Sequence, residues 1–342
     1  MWASVTGKDA HRLLVSWDAQ WYKGIAENGY GFVRIHEDGR VLSDYAFFPL
    51  FGWLERWVSA ATGLAAVDAG LLVSWVSSLV AAWGIFAVGD HLYGRRVGVL
   101  LTVLWASLPI GIVTSMAYSE STFTALAAWS LYAVITRRWL IAGVLAALAG
   151  LTRPIGVAVV AALVITAVVV LLQRRETGTW WRVLVGTLIA PLGWLGYVGW
   201  VGLETGSPLG YFEVAGEWGN GFDGGVAFTL WIWDFLDSSS FILGLLLCAG
   251  VAALGWLFVL CIRARFPLPL LVFCGVLLFL TLTTSGYFGS KPRYLLPAFP
   301  LLLPVAVALA RLSLRRVVPV LVLMASASAV YGAYWLHGAG PP

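Results

Sequence analysis

The sequence predicts an all-α integral membrane protein, a polytopic bundle of about ten transmembrane helices, and three observations predict it. Of 342 residues, 60% are apolar and only 11% charged, with a mean hydropathy of +0.88; a soluble domain of that composition would have to bury nearly every side chain. Apolar runs able to cross roughly 30 Å of hydrocarbon recur from residue 71 to the C-terminus, each closed by Arg, Gly, Pro or a polar cluster. The runs are continuous and rich in Leu, Ala and Val, without the apolar/polar alternation of an outer-membrane barrel, so they read as helices.

Residues 1–70 carry no such run and form an extracytoplasmic N-terminal segment, within which Phe47-Phe48-Pro49-Leu50 starts an amphipathic element lying on the membrane face. Residues 71–342 form the transmembrane domain, with spans over 71–89, 97–113, 121–136, 139–151, 155–172, 182–203, 239–260, 267–284, 294–310 and 317–336. The stretch 139–172 is too long for one span, and Thr152-Arg153-Pro154 divides it into a short and a longer helix.

Charge sets the topology. Arg95, Arg96, Arg137, Arg138, Arg174, Arg175, Arg182, Arg263, Arg265, Arg311, Arg315 and Arg316 fall at every second loop, which the positive-inside rule places in the cytoplasm. Of the acids, only Asp90 and Glu176 lie among these arginines, so the chemistry belongs to the extracytoplasmic side. This spacing of the positives also argues against a nucleic-acid partner. Cys248, Cys261 and Cys274 lie in or beside helices without metal or disulfide spacing and read as small buried apolar groups; His11, His36, His91 and His337 are scattered, and no metal site is expected.

The candidate chemistry starts at Trp17-Asp18-Ala19-Gln20-Trp21-Tyr22, where one carboxylate sits among aromatics just ahead of the membrane helices. Asp18 can take a hydroxyl proton, while Trp17, Trp21, Tyr22 and Tyr30 offer faces on which a sugar can stack; a solvated acid in an interfacial aromatic belt is the alternative. Asp44, in Ser43-Asp44-Tyr45, is a second carboxylate candidate or a cap, and Glu120, in Tyr118-Ser119-Glu120-Ser121, is a third or the acid that a helix dipole favours. Arg153 interrupts an apolar run, which makes it a functional candidate. Lys291, Arg293 and Tyr294 put two positive charges on the acid-rich face at a helix start, an arrangement suited to phosphate or to lipid headgroups. The loop 204–238 has six acids, no Lys or Arg, and several glycines that predict a mobile acceptor-side lid or a plain interfacial loop.

In this order, W-D-A-Q-W-Y with Gly29-Tyr30, F-F-P-L at 47–50, Y-S-E-S at 118–121, L-T-R-P at 151–154 and K-P-R-Y-L-L-P-A-F-P at 291–300 resemble the PIG-V family of membrane mannosyltransferases, of the GT-C class. The resemblance covers nearly the whole chain and implies a GT-C-type helical bundle whose first large extracytoplasmic loop holds an acid at the transfer site, here Asp18. It implies mannose transfer from a polyprenyl-phosphate-linked donor, used as co-substrate without other cofactor. Family members carry a transmembrane helix ahead of the W-D block, whereas 16 residues precede Trp17 here, so a missing first helix is expected. Arg outnumbers Lys, which fits a bacterial relative.

A polyprenyl phosphate is a good leaving group, so cations to hold it and one base for the acceptor are enough. Inversion would put Asp18 on the sugar face opposite Arg153, Lys291 or Arg293, with Trp17, Gln20, Trp21, Asp44, Glu120 and Tyr294 as further substrate contacts. The partners expected are the bilayer, the lipid-linked sugar and a glycan, lipid or protein acceptor in the cell membrane's outer leaflet or beyond. Two other classes compete. A secondary transporter or lipid flippase would show two similar halves, which the sequence lacks; a non-catalytic subunit of a lipid-glycosylation complex would stay inactive with any lipid-linked sugar.

Overall fold

A computed structural model describes residues 10–36, 38–173, 178 and 180–336; Arg174, Arg175, Glu176 and His337 of the charge and histidine patterns lie outside them. The N-terminal segment contains α1 (Ala10–Leu14), α2 (Asp18–Asn28), strands β1 (Val33–Ile35) and β2 (Val41–Ser43), and α3 (Pro49–Thr62). The strands form an antiparallel hairpin with Arg34 opposite Leu42. Pro49 starts α3, where its missing N–H costs nothing, and Gly63 ends it in the left-handed conformation. The helix is amphipathic as predicted: Leu50, Phe51, Gly52 and Glu55 face inward, and Trp53 and Trp57 face out.

The membrane domain follows as α4 (Ala66–Tyr93), α5 (Arg95–Ala106), α6 (Glu120–Ile135), α7 (Trp139–Gly150), α8 (Val157–Leu172), α9 (Trp180–Ile189), α10 (Leu192–Thr205), α11 (Gly210–Glu217), α12 (Val226–Leu236), α13 (Phe241–Arg263), α14 (Leu268–Thr283), α15 (Lys291–Tyr294), α16 (Leu303–Ala310) and α17 (Leu314–Leu336). It is a polytopic helical membrane protein. Helices α4, α6, α7, α8 and α14 make the packed centre, and α2 and α3 lie against α4. Helices α13 and α17, only 6% and 11% buried over their most apolar windows, present apolar side chains outward, as lipid-facing helices do.

Each predicted span is helical, but not every one crosses unaided. Among the described residues, five stretches are long and apolar enough: Ala66–Tyr93, Pro154–Leu172, Trp180–Thr205, Phe241–Arg263 and Leu314–Tyr334. The span expected over 97–113 is broken: α5 stops at Ala106, Leu108 is driven extended by the proline after it, and a 3-10 turn, Pro109–Ser115, leaves at 84°. The span expected over 294–310 is bent by 75°, because Pro297 and Pro300 restrict the chain between α15 and α16, and Pro304 sits in the first turn of α16. The division at Thr152-Arg153-Pro154 occurs as expected, α7 ending at Gly150 and a 3-10 turn, Pro154–Gly156, leading into α8.

Close backbone packing fixes that break. A Cβ added at Gly143 would lie 2.3 Å from the Gly186 carbonyl, and one at Gly193 only 1.9 Å from the Ala147 carbonyl, so α7 meets α9 and α10 through glycine, as membrane helices do where backbones touch. The loop 204–238 is not a free lid: it contains α11 and α12, and between them the chain is bonded to the end of α14, with Gly225 N donating to Thr283 O at 3.1 Å and Ser285 N to Gly221 O at 2.8 Å. Cys261 and Cys274 are buried as expected, whereas Cys248 is exposed on α13.

Candidate functional site

Four charged side chains from four distant segments meet at one end of the bundle. Asp18 opens α2, Glu120 opens α6, Arg153 stands between α7 and α8, and Arg293 lies in α15. Asp18 Oδ2 accepts a hydrogen bond from an Arg293 terminal nitrogen at 2.8 Å. Glu120 Oε1 lies 2.6 Å from Arg153 and 3.1 Å from Arg293 Nε, both contacts being ionic with angles outside those of hydrogen bonds. Two carboxylates thus balance two guanidiniums in a nearly dry site, where side-chain exposure is 1% for Glu120, 6% for Arg293, 10% for Arg153 and 22% for Asp18. Unpaired, any of them would cost several kcal/mol; mutual neutralisation is what lets them be buried.

The helices aim these groups. Helix α6 runs about 24 Å from Glu120 toward Arg137 and Arg138, and α7 returns to Arg153. The cluster therefore occupies the end of the bundle opposite those arginines. Tyr22, one turn after Asp18 on the same face of α2, shares a 2.8 Å hydrogen bond with Ser119 Oγ, which also accepts from Arg153 at 3.1 Å. Helix α2 is thereby pinned to the cluster twice, through Asp18 to Arg293 and through Tyr22 and Ser119 to Arg153. The Tyr294 ring lies between the arginines, 5.7 Å from Arg153 Cζ and 5.6 Å from Arg293 Cζ.

Other expected site residues stand elsewhere. Lys291 turns away: its ammonium donates to the carbonyls of Thr281 and Thr284, at the C-terminal end of α14, and rests on the rings of Phe228 and Phe288. Asp44, 2% exposed, accepts hydrogen bonds from the backbone N–H groups of Gly31 and Phe32 at 3.0–3.2 Å, so it clips the Tyr30–Phe32 turn; burial pushes its carboxyl up, partly offset by those bonds. Gln20 donates its side-chain amide to Val15 O at 2.6 Å. Trp17 packs on the bundle core and Trp21 stacks on Phe47 with Trp218 edge-on at 4.9 Å. Tyr22 and Tyr30 are not free sugar platforms: Tyr22 is 4% exposed, and Tyr30 donates its hydroxyl to Phe47 O inside a cluster with Tyr45, Tyr197 and Trp200.

Reading the sequence missed Ser119 as a link and Tyr118 as a neighbour of Arg293, whose Cζ stands 5.3 Å over the Tyr118 ring. It also missed Glu55, wholly buried where α3 meets Gly70 of α4, with both carboxyl oxygens unpartnered among the described residues and burial raising its pKa to about 9. The i+4 spacing of Tyr22 from Asp18 was the available signal for the second link. Among the described residues no three His, Cys, Asp or Glu side chains gather as a metal site would require. The cluster can hold an anion on two arginines beside a carboxylate able to take a proton.

No family model and no curated protein matches the sequence. Among solved structures, the chain is similar to ArnT from Cupriavidus metallidurans in the apo state, at TM-score 0.57 and 19% identity over 95% of this chain and 59% of that one. It is likewise similar to the same protein bound to undecaprenyl phosphate, at TM-score 0.57 and 18% identity over 92% of this chain and 63% of that one. The chain spans about three fifths of ArnT's length, and the likeness is one of fold.

Proposed function

We propose that the protein is a membrane glycosyltransferase of GT-C type. In this reading it moves a sugar from a polyprenyl-phosphate carrier to the hydroxyl of an extracytoplasmic acceptor, with inversion. The carrying observation is the convergence of Asp18, Glu120, Arg153 and Arg293 at the bundle end opposite the arginine-rich loops. The ArnT fold, seen with undecaprenyl phosphate bound, supports a polyprenyl-phosphate ligand. Mannose as the sugar rests on the resemblance to PIG-V enzymes.

In this mechanism Arg153 and Arg293 hold the phosphate, whose negative charge grows as the glycosidic bond breaks. Asp18, the most exposed of the four, faces the acceptor and takes its proton, and the ion pair to Arg293 orients it. Glu120 fixes both arginines. Its contribution is geometric, since a phosphate met by free-swinging guanidiniums would pay their ordering at each turnover.

The test is transfer from radiolabelled polyprenyl-phosphate-mannose, and from carriers bearing other sugars, to a panel of acceptors in membranes. Asp18→Asn is expected to lower transfer by about 10² to 10⁴ while donor binding persists. Full activity in that variant would eliminate Asp18 as the base, and inactivity of wild type with every carrier would eliminate the reaction.

A further inference from the structure

Tyr118 is fully buried, yet its hydroxyl gives its proton to no acceptor among the described residues. That is unusual for a phenol, since a buried donor left unmade costs about 1–3 kcal/mol. The side chain cannot easily turn elsewhere. Met116, Ala117, Tyr118 and Ser119 are all at 0% exposure, and Ala117 N is tied to Leu14 O at 3.1 Å. The ring lies beneath the Arg293 guanidinium, and the hydroxyl is in the field of Asp18, Arg293 and Glu120, with the backbone N–H of Asp18 facing it. A second donor nearby, Arg153 Nε, is equally buried and makes no hydrogen bond among the described residues. With Arg293 Nε, which meets Glu120 only as an ion pair, three donors without a hydrogen bond among the described residues surround a cluster whose own charges already balance, and what suits them is an oxygen-rich ligand.

We infer that Tyr118 is a substrate-contacting residue whose hydroxyl donates to an oxygen of the lipid-linked sugar phosphate lying against Arg293. The inference rests on the proposed function for the ligand's identity; the unspent hydroxyl itself stands independently of it. The oxygen belongs either to the phosphoryl group or to a hydroxyl of the attached sugar, and both are acceptors that a phenol recognises in the same way. No proton is transferred in this role: the phenol orients the ligand beside Asp18, and the proton taken from the acceptor goes to the carboxylate.

Tyr118→Phe in the full chain tests this, because it removes a hydroxyl whose proton has no acceptor among the described residues. Its unfolding temperature is expected to equal or exceed that of wild type, since an unsatisfied group is lost. Binding of polyprenyl phosphate without sugar, and of polyprenyl-phosphate-mannose, is read by tryptophan fluorescence. About tenfold weaker binding of both assigns the phosphoryl oxygen, and about tenfold weaker binding of the sugar-bearing lipid alone assigns the sugar hydroxyl. Unchanged binding of both lipids overturns the inference, and so does a lowered unfolding temperature, which would mean that the hydroxyl serves a buried water or a protein group. Because the sugar-free lipid binds without reacting, these readouts stand even if no transfer is found, so failure of the glycosyltransferase reading is told apart from failure of this contact.

Discussion

Replacing Glu120 by Gln keeps the shape of the site and removes one charge. In wild type, two carboxylates face two guanidiniums and the cluster is neutral; the variant leaves a surplus positive charge on Arg153 and Arg293, whose side chains are 10% and 6% exposed. Solvent at that depth does little to screen it, so the loss is expected to be that of a broken buried pair, about 3–5 kcal/mol. Thermal unfolding in detergent measures it. Adding Arg153→Met in the same background makes the cluster neutral again and is expected to recover part of the loss. The surplus charge also makes the single variant a better anion host, so inorganic phosphate is expected to raise its unfolding temperature more than that of wild type. A Glu120→Gln protein that unfolds with wild type and responds to phosphate equally would refute the charge balance on which the site is argued.

Lys291→Met is expected to cost about 1–3 kcal/mol and to expose the bonded segment near 219–225 to faster amide exchange, leaving donor affinity within twofold of wild type; a tenfold loss of affinity in a folded variant would make Lys291 a phosphate ligand instead. Asp44→Ala strands the N–H groups of Gly31 and Phe32, so a loss of about 1–3 kcal/mol without change in donor KM is expected, and a selective KM effect would return Asp44 to the site. Glu55 gives the pH dependence. Its pKa is about 9 when folded against 4.5 when free, so both states hold the proton below pH 4.5, while between 4.5 and about 9 only the folded state does. Its contribution to stability is therefore fully present below pH 4.5 and declines as pH rises toward 9, by roughly tenfold in the folding constant per unit; Glu55→Gln should flatten that slope, and an unchanged slope would assign it to another group.

Much of this architecture was legible because composition and charge act on whole helices. The ten apolar runs and the Thr152-Arg153-Pro154 break follow from what a bilayer and a proline each forbid. Membership of the site was legible only in part. Lys291 and Arg293 look equivalent in sequence, yet residues two apart in a helical turn face different sides, and only Arg293 reaches Asp18. Asp44 and Asp18 look alike too, and what separates them is the backbone that folds over each, a tertiary fact. Glu55 reads as surface charge beside Arg56, although its place one turn after Phe51 on α3 puts it on the inward face. The bends at Pro109 and Pro297–Pro304 were visible as prolines, but their angles are set by the helices they lean on.

Trp17 sits at φ 56° and ψ −117°, a backbone shape that favours glycine, immediately before the carboxylate of the site. Such a conformation costs about 1–3 kcal/mol and is held here by an indole wedged against the bundle. The start of α2 is thus a sprung catch, with the tryptophan as its weight and Asp18 as its tongue. Trp17→Gly would slacken the spring and lift the weight together, and an Asp18 that no longer finds Arg293 in that variant would show that aromatic mass, more than helix propensity, keeps the tongue in its slot.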